Sequence, residues 1–373
     1  MPEASTLADL LRIRRANQAL LRKQGAGYRG SAVGFKFSEK NRDWVKRKGQ
    51  CVPAIVFFVE EKWKSGQRPK GSSPPLPTKL SAGALSCETD VVEGQFADDI
   101  PWLPSLPATG ESLVQGLFES KAVVGGIPIR SPLATGAAAC VVQQGNRRSL
   151  LTNAHVAGQA GNPIERPEPQ VVELGETEAA CLVGSEIPPK SRARWATPWD
   201  AFLESVPWID SALVRLRPSV VAIARAGVSG LPPLQSPSAL DLESLADIGR
   251  LLTSVGPSGG RSHGRLMGIA YEWKEGDQYY HADLLILGCR EKTPHAFTGL
   301  PFAAEGDSGK LVVTADTFQP IGVLWGGHRL QFDSLHNQHA WCLATDINRI
   351  LSGFDVRIVP AGNQPTAPAS TPP

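Results

Sequence analysis

From about residue 120 onward, short β-forming runs alternate with turns rich in glycine, proline, asparagine and serine, and this pattern constrains the fold most. Stretches of roughly 10–15 residues with helical spacing, which a parallel α/β sheet needs between its strands, are missing. The pattern therefore predicts a mostly β protein of sandwich or barrel type. The expected strands are Ala138–Gln143, Ser149–Thr152, Gln170–Leu174, Ala212–Leu216, Leu251–Val255, Ala282–Leu287, Lys310–Val313, Pro320–Trp325 and Ala340–Ala344.

The first 95 residues differ from this pattern, and we interpret residues 1–95 as a small α/β unit. Leucines at helical spacing predict a helix over residues 6–24, with Thr6 as its N-cap. Two strands are expected, at Ser31–Phe37 and Val52–Glu60.

The remaining segments complete the expected organisation. Residues 96–119 are predicted to be a linker, and residues 120–358 the main domain. That domain is expected to end with a helix at Asp346–Leu351. The proline-rich residues 359–373 are predicted to be a disordered tail.

Charge and composition restrict the partners. The net charge is +2, but residues 1–50 contain twelve Lys and Arg against four Asp and Glu. A solvated surface is the favoured interpretation of this basic segment, because the aromatic residues do not interleave the basic ones in a recognisable nucleic-acid-binding module. No apolar run approaches the roughly 20 residues of a membrane span, no secretory signal is recognisable, and the six cysteines form no C-x-x-C pair. We therefore expect a cytoplasmic protein without a membrane partner.

Three motifs contain the residue types of nucleophilic acyl transfer. T-N-A-H-V surrounds His155, D-S-A-L begins at Asp210, and G-D-S-G surrounds Ser308. A serine hydroxyl needs a base, imidazole can take and return the proton, and a carboxylate fixes the imidazole tautomer. Each motif is weak by itself, but the three together favour this chemistry.

The turn around the serine is suited to binding a developing oxyanion. Gly306 can adopt a positive φ without a Cβ penalty, and its N–H could then converge with that of Ser308. An α/β-hydrolase is excluded because its serine comes first and lies in G-x-S-x-G, whereas here the serine comes last and the fifth position is Lys310.

With these motifs the chain resembles the trypsin-like serine proteases of chymotrypsin fold over roughly residues 120–355. The resemblance implies two six-stranded antiparallel β-barrels with the active site between them. It also implies that His155 is the general base, Asp210 its orienting acid and Ser308 the nucleophile, with the N–H groups of Gly306 and Ser308 as the oxyanion hole.

The same resemblance implies the substrate-binding residues. The L-W-G-G run looks like the strand that holds the substrate backbone, and it assigns Leu324, Trp325 and Gly326 to that role. Phe302, six residues before the serine, would be the floor of the specificity pocket. This residue favours small or apolar substrate side chains, or a pocket that the ring partly closes.

A narrower resemblance extends to the N-terminal unit. V-G-F-K at residues 33–36, A-I-V-F-F-V at residues 54–59 and S-H-G at residues 262–264 are similar to a bacterial group related to plant narrow-leaf-type trypsin-like proteins. This resemblance implies homo-oligomers assembled through the N-terminal unit.

Two departures from the trypsin-like pattern bear on activation. Lys310 stands where many relatives carry a small residue, and Val124-Gly125-Gly126 superficially resembles an activated N-terminus whose amine could pair with Asp307. Cleavage there is disfavoured because the preceding region looks folded.

The sequence therefore predicts a serine endopeptidase that cleaves protein or peptide substrates through an acyl-enzyme, without cofactor or metal. The alternative is a protease-fold scaffold or binding protein that acts through its N-terminal unit. Nucleic-acid binding through residues 12–48 is the third and least favoured reading.

Overall fold

The computed structural model describes residues 2–23, 27–38, 43–60, 76–93, 122–167, 171–258, 260–289, 302–303, 306–331 and 338–360. The predicted linker at 96–119 lies outside the described residues, and so does the predicted tail beyond residue 360. The described chain is mostly β, as the sequence predicts.

Helices are few and short. The α-helices are Leu7–Ala16, Gln18–Arg22, Ala154–Ala157, Pro218–Val221 and Ile347–Phe354, and the 3-10 helices are Gly184–Glu186, Pro189–Trp195 and Pro198–Phe202. The strands are Tyr28–Phe35, Phe37–Ser38, Asp43–Trp44, Lys46–Arg47, Gln50–Cys51, Pro53–Val59, Lys79–Ala82, Leu85–Glu93, Val123–Gly125, Pro128–Arg130, Thr135–Ala137, Cys140–Gln144, Arg147–Thr152, Pro163–Arg166, Val172–Val183, Val206–Leu216, Ala224–Val228, Leu251–Gly256, Gly260–Glu275, Gln278–Gly288, Leu311–Thr314, Pro320–Gln331, Gln338–Asp346 and Arg357–Ile358. No helix of the described residues is long and apolar enough to cross a membrane.

Each of the nine strands predicted after residue 120 overlaps an observed strand. The longest strand, Gly260–Glu275, was not predicted. Its residues 264–272 are all buried, and its pairing shifts register between Leu266 and Gly268. Because both faces are covered, the polar–apolar alternation that reveals a strand in the sequence is absent.

The predicted N-terminal helix is confirmed at its start and shorter at its end. Thr6 Oγ1 accepts a hydrogen bond from the Asp9 backbone N–H at 3.0 Å, as expected of an N-cap. The first helix ends at Ala16, because Asn17 leaves helical geometry at ψ 10°. A second helix, Gln18–Arg22, follows at once.

Residues of the N-terminal unit share a sheet and a core with the second half of the chain. Tyr28–Phe35 pairs with Pro53–Val59 on one side and with Gly260–Glu275 on the other, both antiparallel. Leu10 and Phe57 belong to the same buried cluster as Ile286. The predicted boundary near residue 95 stays a prediction.

Eighteen strands are connected by hydrogen bonds into one network. Val206 pairs in parallel with Tyr280, and this short contact joins the strands of residues 128–216 to those of residues 251–346. A buried cluster that includes Leu151, Leu311 and Ile347 packs side chains from both groups together. The candidate site lies beside this cluster.

Candidate active site

Strand register brings His155 and Asp210 to the same place. Arg147–Thr152 pairs antiparallel with Val206–Leu216, and Thr152 stands opposite Ala212. The chain beyond Thr152 and the chain before Ala212 therefore leave the pairing at the same end. His155 follows there on the short helix Ala154–Ala157, and Asp210 lies two residues before Ala212.

Asp210 binds His155 through both of its carboxylate oxygens. His155 Nδ1 lies 2.5 Å from Asp210 Oδ2, and the His155 backbone N–H donates to Asp210 Oδ1 at 3.0 Å. The Asp210 side chain is only 3% exposed, whereas that of His155 is 33% exposed. Such a pair fixes the tautomer with the proton on Nδ1 and leaves Nε2 to accept another.

The pair changes the proton affinity of the imidazole. Burial disfavours the charged form of His155, but the hydrogen bond and the negative charge of Asp210 outweigh that effect and raise its pKa above the ordinary value. Asp210 has a φ of 40°, in the left-handed region that non-glycine residues seldom adopt. Backbone strain of this kind clusters at functional sites.

Ser308 lies on a tight turn with a positive φ at each flanking glycine, 86° at Gly306 and 99° at Gly309. The Gly309 N–H donates to Leu324 O at 2.8 Å, which attaches the turn to the strand Pro320–Gln331. A Cβ on Gly309 would stand 2.6 Å from Thr152 Oγ1, so the position has no room for a side chain. The expected positive φ of Gly306 is confirmed.

The turn packs against the residues that hold His155. Ser308 O accepts a hydrogen bond from the Ala137 N–H at 2.7 Å. A Cβ on Gly136 would lie 2.6 Å from Ser308 O and 2.6 Å from Val156 Cγ2, so the serine and the neighbour of His155 face each other across this glycine. Asn153 Nδ2 donates to Leu324 O at 2.8 Å and joins the two segments a second time.

Ser308 and His155 share no hydrogen bond in this conformation of the described chain. Nor do the N–H groups of Gly306 and Ser308 donate to any acceptor among the described residues.

Asp307 is paired inside the turn. Lys310 Nζ lies 3.1 Å from Asp307 Oδ2, and both side chains are almost fully buried, 1% and 3% exposed. The Ser258 backbone N–H donates to Asp307 Oδ1 at 3.1 Å. The Val-Gly-Gly run begins in the strand Val123–Gly125. The Val123 N–H donates a hydrogen bond to Ile223 O at 3.1 Å and holds this strand against its neighbour.

The residues predicted to bind substrate are buried to different extents around the turn. Phe302 is 0% exposed, and its ring lies 2.7 Å from where a Cβ on Gly264 would stand. Leu324 O already accepts the two hydrogen bonds described above, and Gly326 is buried. The roles assigned to these residues stay predictions.

Trp325 belongs to an aromatic cluster that the sequence did not reveal. Its ring centroid lies 5.8 Å from that of Trp208 and 6.1 Å from that of Trp273. Tyr280 also contacts Trp208 at 5.3 Å between centroids. Trp208 stands two residues before Asp210 in the sequence, but no local pattern predicts its contacts with Trp273 and Tyr280.

A second group of titratable residues is built around a buried arginine. Asp200, His281 and Asp283 place ligand-type atoms within 4.8 Å of one another. Arg349 already bonds two of them, since Nη2 lies 2.8 Å from Asp200 Oδ1 and 2.7 Å from Asp283 Oδ1. The guanidinium supplies the positive charge that these carboxylates need.

Two of the N-terminal arginines are engaged within the chain. Arg14 is 3% exposed and donates to Ala270 O and to Ser31 O. Arg15 Nη1 donates to Ala201 O at 2.5 Å. The basic segment thus includes buried and paired groups as well as solvated ones.

Comparisons with known proteins match both ends of the chain. The model of the NARROW LEAF 1 N-terminal domain matches residues 2–92, and that of the Nal1 C-terminal domain matches residues 203–363. Protein NARROW LEAF 1 of Oryza sativa subsp. japonica is 29% identical over 392 residues, which cover 96% of this chain and 61% of the rice protein. The chain thus spans about three fifths of the length of this relative. These matches point to the NARROW LEAF 1 family.

Solved structures with similarity to the chain include two serine proteases. A glutamic-acid-specific serine protease is 16% identical with a TM-score of 0.43, over 64% of this chain and 100% of its own. Cellulomonas bogoriensis chymotrypsin is 16% identical with a TM-score of 0.40, over 64% of this chain and 99% of its own.

Proposed function

We propose that this chain is a serine endopeptidase that cleaves protein or peptide substrates through an acyl-enzyme. Its similarities point to the NARROW LEAF 1 family. His155 is the general base, Asp210 its orienting acid and Ser308 the nucleophile. The N–H groups of Gly306 and Ser308 form the oxyanion hole.

One observation supports this proposal above the others: the buried carboxylate of Asp210 lies 2.5 Å from His155 Nδ1, while the His155 side chain stays 33% exposed. A histidine that only fills a core has no need of a partly exposed side chain. A raised pKa makes the imidazole a stronger base toward a serine hydroxyl.

The reaction follows from these positions. Ser308 Oγ attacks the carbonyl carbon of the scissile bond, and His155 Nε2 takes the hydroxyl proton. The negative oxygen accepts hydrogen bonds from the Gly306 and Ser308 N–H groups, each worth about 3–4 kcal/mol of barrier. His155 returns the proton to the leaving amine, the peptide C–N bond breaks, and water then hydrolyses the ester.

The finer architecture is part of the same proposal. The strands of residues 120–358 form two six-stranded barrels, with Phe302, Leu324, Trp325 and Gly326 lining the substrate cleft. Residues 1–95 are an assembly or recruitment unit, and the protein is a cytoplasmic homo-oligomer. Light scattering of the purified protein tests the last point, since a mass of one chain would contradict it.

A fluorophosphonate probe, which phosphonylates activated serines, tests the function. The wild type is expected to be labelled at Ser308, and Ser308→Ala is expected to stay unlabelled. Ser86→Ala is the matched control, because it removes a buried serine of the strand Leu85–Glu93, outside the three motifs. A folded wild type that resists the probe would overturn the proposal.

The lack of a hydrogen bond between Ser308 and His155 favours one second candidate, a protease-fold scaffold that cleaves poorly. Catalytic hydrogen bonds are often long or misaligned in enzymes without substrate, so this observation does not displace the first proposal. An unlabelled wild type that still forms its oligomer is the result that would favour the scaffold.

A further inference from the structure

The ammonium group of Lys310 is an unusual feature of the turn that carries Ser308. The side chain is 1% exposed, and burial of an unpaired ammonium would be very costly. Lys310 Nζ has three acceptors: Phe302 O at 2.6 Å, Asp307 Oδ2 at 3.1 Å and Ser262 Oγ at 3.1 Å. An ammonium has three N–H donors, so every donor is satisfied.

These contacts tie both Phe302 and Asp307 to Lys310. Phe302 is bound through its carbonyl, and its ring centroid lies 4.8 Å from Nζ. Lys310 itself is fixed to the sheet, because the Leu324 N–H donates to Lys310 O at 3.1 Å. Asp307, the residue before Ser308, is held by the same ammonium.

We propose that Lys310 is a positioning residue that holds the Gly306–Gly309 turn in the shape that aims both backbone N–H groups at the oxyanion. This inference rests on the proposed function. Asp307 is the link, because its carboxylate bonds Lys310 Nζ and the Ser258 N–H on the opposite side. Without the ammonium, the buried carboxylate would rotate toward water and take the neighbouring N–H groups with it.

The arrangement requires no new N-terminus. The buried carboxylate already has an internal cation, and Val123, just before the Val-Gly-Gly run, is 1% exposed within a paired strand. Release of an amine there would break that strand from the core. The intact chain is therefore the competent form, and the mass of the labelled species should equal that of the whole chain plus one probe.

Lys310→Met tests the proposal because it keeps the apolar stem and removes the ammonium. Labelling of Ser308 by the fluorophosphonate is expected to slow about 100-fold, the effect of misplacing an oxyanion donor. The low-field NMR signal of the His155 Nδ1 proton is expected to stay unchanged, because Asp210 is not disturbed. Ser86→Ala, the control variant, removes a buried serine of the strand Leu85–Glu93 and is expected to label at the wild-type rate.

A second variant keeps the positioning role testable if Lys310→Met does not fold. The double variant Asp307→Asn with Lys310→Met removes both buried charges, and it is expected to fold and still label about 100-fold more slowly. Labelling at the wild-type rate by either folded variant would overturn the positioning role.

Hydrogen exchange separates this inference from the proposed function. The Gly309 and Lys310 N–H groups donate to Leu324 O and Asp307 O, so both should be protected in the wild type. Loss of Lys310 is expected to reduce that protection at least about tenfold while the Leu151 amide is unaffected. If the wild type does not react with the probe, the function fails; if the protection is unchanged, the role of Lys310 fails.

Discussion

The close packing of Ser308 and Val156 on either side of Gly136 gives the sharpest prediction about the candidate active site. A Cβ added there would lie 2.6 Å from both Ser308 O and Val156 Cγ2. An ordinary contact begins at 3.4 Å, so the serine turn or the histidine helix must retreat by about 0.8 Å. We expect Gly136→Ala to increase the distance between Ser308 and His155 by a shift of that size.

Two magnitudes follow from this shift. Misplacement of a reacting group by about 1 Å can cost about 100-fold in rate, so labelling of Ser308 is expected to fall between about 10-fold and 100-fold. Overpacking of this kind also costs about 1–3 kcal/mol of the free energy of unfolding. The melting temperature is therefore expected to fall by several degrees.

The assay compares fluorophosphonate labelling rates and melting temperatures of two variants. Gly34→Ala is the control, because its Cβ would meet the Met267 carbonyl within the pairing of Tyr28–Phe35 with Gly260–Glu275. It is expected to lower the melting temperature without slowing the labelling of correctly folded protein. Equal labelling rates for Gly136→Ala and the wild type would refute the packing of Ser308 against the His155 helix.

Three further predictions concern the ionisable groups. In Asp210→Asn the new side chain has nearly the shape of Asp and tolerates the positive φ. This variant is expected to slow labelling about 10⁴-fold, because the imidazole of His155 then adopts the wrong tautomer. A loss under tenfold would contradict the role of Asp210. In the wild type, labelling needs neutral His155, and the pKa of this residue is raised. The labelling rate is therefore expected to fall with decreasing pH through a midpoint above about 6.5. A midpoint below pH 6 in the rate profile would count against the His155–Asp210 pair. Arg349→Met leaves the Asp283 carboxylate buried without its cation. In a urea titration it is expected to lower the free energy of unfolding by about 3–5 kcal/mol. A loss under about 1 kcal/mol would show that the ion pair of Arg349 with Asp283 is dispensable.

Local chemistry explains what could be predicted from the sequence. His155 and Ser308 each lie beside the end of a strand, where the change from apolar run to turn is visible without knowledge of the fold. Asp210 lies just before an apolar run in the sequence, although the structure places it inside the strand Val206–Leu216. The positive φ at Gly306 follows from the same reasoning, since only glycine adopts it at no cost. Order along the chain, rather than any one motif, favoured acyl transfer.

Long-range packing explains what could not be predicted. The three-residue spacing of Asp307 and Lys310 is visible in the sequence, but their burial and the Phe302 carbonyl that completes the contact are not. The strand Gly260–Glu275 is covered on both faces and so lacks alternation. Its pairing with Tyr28–Phe35 joins residues far apart in the chain, which no local pattern records.

A crystal structure of the phosphonylated protein tests the central claim most directly. We expect the phosphorus to be bonded to Ser308 Oγ, with its oxygen about 2.7–3.1 Å from the N–H nitrogens of Gly306 and Ser308. His155 Nε2 should face the adduct while Nδ1 still contacts Asp210. An adduct on another residue, or an oxygen turned away from both N–H groups, would contradict the account.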